Sequence, residues 1–157
     1  MPPGGVVIRP YRPPDLEPLV VLWLESTTRA HPFISPRYWL ESEELVRGHY
    51  IPHSQTWIYE DAQGIGGFIS VMDQRFIGAL FVHHNLYGQG AGAALMQHIQ
   101  HRFPMLSLEV YQQNHRACAF YRKQGFTTVQ ENYQHETRSR LLIMHWQDQE
   151  LLASVMP

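Results

Sequence analysis

Between Tyr87 and Ala93 the chain reads YGQGAGA, three glycines in alternation, after the apolar run IGALFV and before ALMQHIQHRF, which has helical spacing. Glycine adopts backbone conformations that other residues avoid and lets another molecule approach the main chain closely. A glycine-rich turn that opens a helix also leaves the first backbone N–H groups unpaired at the positive end of the helix dipole. That combination binds phosphate. A plain strand-to-helix connection would need Gly88 and Gly90 for the turn alone.

Two nucleotide-binding motifs compete for this stretch. A phosphate loop of the G-x-x-x-x-G-K-[ST] kind requires a lysine and a hydroxyl after its last glycine, and neither is present. A dinucleotide motif fits better on paper, since Gly88, Gly90 and Ala93 match G-x-G-x-x-A and Glu109 lies near the expected distance. Against it, five residues separate Val82 from the first glycine, where that fold turns directly off its strand. The glycines also lie past the midpoint of a chain with no room for two βαβαβ halves.

Other residues with chemical potential are less persuasive. His98 and His101 share a helix face without the H-E-x-x-H spacing, and His83 and His84 would point apart if they lay in a strand, so no metal is expected. The single cysteine, Cys118, excludes an internal disulfide and suits a reducing, cytoplasmic setting. On an amphipathic helix beside Phe120 it reads as a small core residue. A net charge of -2 argues against nucleic acid or an anionic membrane as the main partner. The start, MPPGGVVIRPYRPP, lacks the pattern of a signal peptide, and PLVVLWL is too short to span a bilayer.

These residues need elements to position them. With 157 residues, 44% hydrophobic and 17% charged, the chain has the size and composition of one globular domain. VVIRPYR reads as a first strand. Leu16, Leu19, Val20, Trp23, Leu24 and Thr27 form a helical stripe starting near Asp15. Ser35 as N-cap with Pro36 starts a second helix that runs to about Gly48. QTWIYED, IGGFISVM and FIGALFV read as an antiparallel meander. After the glycine turn, Leu95, Ile99 and Phe103 share a helix face that ends before Pro104. MLSLEVY is a strand, Asn114 caps a helix that Gly125 ends, and FTTVQENYQHE and RLLIMHW are the last strands. The order is β-α-α-β-β-β-α-β-α-β-β, an α/β fold with a mixed, mostly antiparallel sheet flanked by helices.

A second motif then bears on the glycines. NHRACAFYRKQGF, Asn114 to Phe126, fits N-x-x-A-x-x-F-Y-x-x-x-G-F. Together with the glycine turn one strand and one helix earlier, it resembles the GNAT superfamily of acetyl-CoA-dependent N-acetyltransferases, whose element order is the one just given. LWLESTTRAHPFI and LEVYQQN further resemble the bacterial YiaC-like acetyltransferases. The family's loop is written Q/R-x-x-G-x-G/A; here Gly90 and Gly92 hold the last two places, but Tyr87 stands in the first, which removes a side-chain contact.

The resemblance implies that Tyr87, Gly88, Gln89, Gly90, Ala91, Gly92 and Ala93 cradle the pyrophosphate of acetyl-CoA. It places the pantetheine arm in a gap between the strand ending at Val82 and the strand holding Glu109. There the arm pairs with Phe81 and Val82 and is bound by Asn114. The amine would attack the thioester directly, and Tyr121, protonated at neutral pH, stands in the position of the family's general acid. Glu25, His31, Glu109 or a water chain would take the proton from the amine. The acceptor, a protein lysine or alternatively a small-molecule amine, would enter past Glu25, His31 and Phe33, with Phe76 as a wall. Glu41, Glu43 and Glu44 could attract a cationic acceptor, although such a run is more often a solvated helix face. A non-catalytic acyl-CoA-binding protein is the alternative from another class. Monomer and homodimer both stay open.

Overall fold

The computed structural model describes residues 5–150; the first four residues of the terminal stretch read above lie outside them. Seven strands, β1 (Val7–Pro10), β2 (Gln55–Asp61), β3 (Gly64–Met72), β4 (Phe76–Val82), β5 (Met105–Tyr111), β6 (Thr127–Gln134) and β7 (Ser139–Gln147), form one sheet. Its spatial order is β1-β2-β3-β4-β5-β7-β6. Every neighbouring pair is antiparallel except β4 and β5. The helices are α1 (Leu16–Ala30), α2 (Pro36–Leu45), α3 (Ala91–Gln100) and α4 (His115–Lys123), so the element order is the expected one.

Alternation along the strands divides the apolar residues between two faces. Trp57, Tyr59, Ile69 and Val71 pack with Leu95, Met96 and Ile99 of α3, while Ile58 and Phe68 pack with Leu19, Val20 and Trp23 of α1. The stripe on α1 therefore buries as its spacing requires. Arg9 ties β1 to the turn before α1 and to β2, with bonds to Asp15 at 2.9 Å and Glu60 at 3.0 Å. The hydrogen bond from Arg9, helped by the Arg12 N–H, holds the Asp15 carboxyl below the ordinary range.

Three details depart from the expectations. The first strand is shorter than VVIRPYR. The second helix passes at Val46–Tyr50 into a π-helical turn rather than simply running out near Gly48. His83 and His84 lie beyond β4, where His83 caps a 3-10 turn through Nδ1 and the Asn85 N–H. Their rings stack at 4.4 Å instead of pointing apart, because strand alternation no longer applies there. Among the described residues, no helix is long and apolar enough to cross a membrane.

Candidate functional site

The site begins with one residue too many in β4. Pairing with β3 passes from Ser70↔Ala79 to Val71↔Ile77, which leaves Gly78 without a partner. An unpaired residue bends the bulged strand and increases its twist. On its other edge, β4 pairs with β5 only at Phe76↔Ser107 and Ile77↔Leu108, the two positions before the bulge. Beyond it the strands part, and Leu80, Phe81 and Val82 border a gap. Because the His83 N–H bonds to the Gly66 carbonyl, the Phe81 backbone groups turn toward β3 and those of Leu80 and Val82 turn toward the gap. A cavity of about 1000 Å³ runs along this opening, with Leu108, Glu109, Val110 and Tyr111 on its far side. Nothing in the sequence reading marked Gly78, although a glycine inside a strand is a bulge signal.

The glycine turn closes one end of the cavity. Gly88 and Gly90 have φ of +78° and +86°, a left-handed backbone that other residues adopt only under strain. A Cβ built on either would meet nothing within 4 Å, so the protein leaves that space open. The N–H groups of Gly88, Gly90, Ala91, Gly92 and Ala93 have no partner among the described residues. The last four are the free N–H groups of the helix start, since the first helical bond of α3 runs from the Ala94 N–H to the Gly90 carbonyl. This is a cradle an anion fits. Gln89 turns its side chain back to the Asn85 carbonyl at 3.0 Å. Tyr87 carries the guanidinium of Arg116, 3.5 Å from its ring centroid. Arg116 was not singled out from the sequence, since nothing local to NHRA reveals a ring contributed by another loop.

At the middle of the gap, Asn114 performs two tasks. Its Oδ1 accepts from the Ala117 N–H at 3.2 Å, capping α4, and its Nδ2 lies 3.5 Å from His31 Nε2. The other ring nitrogen of His31, Nδ1, is 2.6 Å from the Thr27 carbonyl. A carbonyl only accepts, so Nδ1 carries the proton and Nε2 keeps its lone pair. Burial pushes the His31 pKa below 6.5, and its bond to Thr27 offsets only part of that shift. His31 is therefore neutral at pH 7.

Tyr121 sits one residue beyond Phe120, with the Phe120 and Phe126 rings 5.5 and 5.9 Å from its own. The C-terminal lock of α4 holds it there. Gly125 takes φ of +98°, and the Phe126 N–H returns to the Tyr121 carbonyl at 3.0 Å. Burial raises its pKa, with Cys118 adding to the shift, so the phenol stays protonated across the physiological range. Its hydroxyl has no hydrogen-bond partner among the described residues, whereas Tyr111 already donates to Gln134 Oε1 at 2.6 Å. Cys118 is 3% exposed, and its Sγ faces the Tyr111 carbonyl at 3.6 Å. Burial raises the thiol pKa, which disfavours the nucleophilic thiolate.

The other end of the cavity is aromatic. The His31 ring lies 5.1 Å from both Trp39 and Tyr111, and Phe33 packs behind it at 5.7 Å. Phe76 lines the cavity where β4 and β5 are still paired. Among the described lining residues Glu109 is the only carboxylate. Glu25 is not among its lining residues; it borders a small adjoining hollow with Arg29, His83 and His84, where Ser26 and Tyr87 belong to both. Two of the three glutamates on α2 are already paired, Glu41 with Arg37 at 2.9 Å and Glu43 with Arg47 at 3.3 Å.

Sheet, parted strands and flanking helices are those of an acetyltransferase fold, and the chain belongs to the GNAT acetyltransferase family. It matches the family described as Acetyltransferase (GNAT) domain over residues 28–147. GNAT acetyltransferases use acetyl-CoA as the acetyl donor. The chain is 44% identical over 140 residues to the peptidyl-lysine N-acetyltransferase YiaC of Escherichia coli (strain K12), covering 89% of this chain and 96% of that one. The peptidyl-lysine N-acetyltransferase YjaB of the same organism is 33% identical over 123 residues, 77% of this chain and 82% of its own. The solution structure of apo-form YjaB from Escherichia coli superposes with a TM-score of 0.78 at 30% identity, over 90% of this chain and 97% of that one.

Proposed function

We propose that this acetyltransferase moves the acetyl group of acetyl-CoA directly to the side-chain amine of a protein lysine. The observation that carries the reading is the continuous cavity from the open glycine turn, past Tyr121, whose hydroxyl has no hydrogen-bond partner among the described residues, to an aromatic end. Acetyl-CoA supplies an activated thioester. The N–H groups of Gly88, Gly90, Ala91, Gly92 and Ala93 would hold its pyrophosphate, while that of Gln89 is bonded to the Leu86 carbonyl. The parted edge of β4 at Leu80 and Val82 would pair with its arm as an added strand does. Asn114, fixed at the start of α4, borders the same path. Tyr121 would give its proton to the departing thiolate.

Two groups lining the cavity can accept the amine's proton. His31 offers a neutral Nε2, and Glu109 offers the one carboxylate among the described lining residues. Glu25, which borders the adjoining hollow and not the cavity, is set aside. Phe33 would act through His31, and Phe76 would close the inner wall.

A single carboxylate suits one amine better than a polyamine, which carries several positive charges. YiaC and YjaB are both named peptidyl-lysine N-acetyltransferases, in agreement with that charge argument. A reducing, cytoplasmic setting accords with the lone buried thiol.

The test is release of free thiol from acetyl-CoA across lysine peptides and small amines, with the product located by mass spectrometry. Acetyl on a peptide lysine is expected. Thiol release with small amines alone would refute the lysine assignment. Tight acetyl-CoA binding without transfer to any amine would make the chain a non-catalytic binder.

A further inference from the structure

At the mouth of the glycine turn stands a cation with no ion-pair partner among the described residues. Arg116 is exposed near the start of α4 and forms none of the ion pairs among the described residues. Its only partner there is the ring of Tyr87, 3.5 Å away. Both side chains line the cavity at its glycine end.

This contact has a consequence for recognition. A ring over the face of a guanidinium occupies that face and leaves the in-plane N–H donors free. Stacking also limits the rotation of a long, flexible side chain, so less freedom is lost when a ligand arrives. The free edge of a guanidinium matches a phosphate, which it binds through two parallel bonds. The same cavity is lined by the turn, whose five backbone N–H groups without a partner among the described residues also seek an anion.

We propose that Tyr87 and Arg116 act as one phosphate clamp for coenzyme A, in which Tyr87 holds the guanidinium and the guanidinium holds the ligand. Tyr87 is the positioning residue and Arg116 the binding residue. The inference rests on the reading that the glycine turn cradles the pyrophosphate. The phosphate held by Arg116 is either that pyrophosphate or the 3′-phosphate on the ribose.

Calorimetry with coenzyme A and with dephospho-coenzyme A tests the clamp on the wild type, Arg116→Ala, Arg116→Lys, Tyr87→Leu and the double variant. Arg116→Ala should weaken coenzyme A about tenfold or more, and the affinity should become less sensitive to added salt. Arg116→Lys should recover part of the loss. Tyr87→Leu should weaken binding less, and the double variant should be no worse than Arg116→Ala alone, as expected for residues acting through one contact. A loss confined to coenzyme A assigns Arg116 to the 3′-phosphate, and an equal loss with both ligands assigns it to the pyrophosphate. Either pattern supports the clamp.

Wild-type affinity in Arg116→Ala for both ligands overturns the proposal, and simple addition of the two single effects overturns the claim of one unit. Gly90→Asn separates this outcome from failure of the underlying reading. If Gly90→Asn abolishes binding while Arg116→Ala does not, only the clamp is wrong. If neither changes affinity, the glycine cradle is wrong as well.

Discussion

Replacement of Gly90 is the most direct test of the cradle, because the structure separates its two consequences. Gly90 has φ of +86° and ψ of 5°. An L-residue there carries a strain of about 1–2 kcal/mol. For a chain of this size each kcal/mol lowers the melting temperature by about 2–4 °C, so Gly90→Ala should melt about 2–8 °C below wild type. No clash adds to this, since the new Cβ meets nothing within 4 Å. Asparagine tolerates the left-handed region, so Gly90→Asn should melt closer to wild type while filling the same space. Losing one hydrogen bond to a charged phosphate costs about 1.5–3 kcal/mol, or roughly 10- to 150-fold in affinity. Melting without ligand and calorimetry with acetyl-CoA read the two effects apart. Gly92 is the internal contrast. Its backbone is helical, and its added Cβ would lie 3.5 Å from the Phe120 ring, an ordinary contact. Gly92→Ala should therefore leave the fold intact or slightly more stable. A folded Gly90→Asn protein with unchanged affinity for acetyl-CoA would refute the cradle.

The remaining predictions concern the middle of the gap. Tyr121→Phe keeps the ring between Phe120 and Phe126 and should lose about 100-fold in turnover, the lower end of what general-acid help contributes, with acetyl-CoA affinity close to unchanged. A wild-type rate under conditions where chemistry limits turnover would leave Tyr121 a packing residue. Cys118→Ala should retain most of the activity, and mass spectrometry should find no acetyl group on the enzyme after incubation with acetyl-CoA alone; an acetylated Cys118 would show that transfer is not direct. Burial holds the His31 pKa below 6.5 in the folded state. Between that lowered value and 6.5 the unfolded chain binds more protons, so stability falls as the pH drops through this window. In urea titrations His31→Gln should flatten that decline, and identical slopes in variant and wild type would show that His31 is not the group responsible.

What the sequence made legible was local. Asn114 and Gly125 bracket α4 through groups a few residues away, and Gly88 and Gly90 mark a turn whose backbone only glycine adopts without strain, so spacing alone identified them. The parts that escaped notice depend on register or on contacts between distant segments. Strand alternation located the apolar residues of β4 but gave no sign that pairing with β3 skips Gly78, and that skipped residue ends the pairing with β5. Glu25 and His31 lie six residues apart on one segment and looked equivalent as bases, yet only His31 reaches the cavity, because the end of α1 turns its ring toward Asn114. Arg116 became meaningful only once folding brought Tyr87 beneath it. The functional geometry thus depends on two coincidences of different kinds. Local chemistry prepares a turn and a cap, and one unpaired glycine parts the two strands that would otherwise close the space between them. An edge strand left open in this way is normally a liability, since its unpaired N–H and C=O groups invite another strand. Here those groups face a cavity inside the sheet, where an extended ligand arm can complete the pairing that the bulge at Gly78 interrupts.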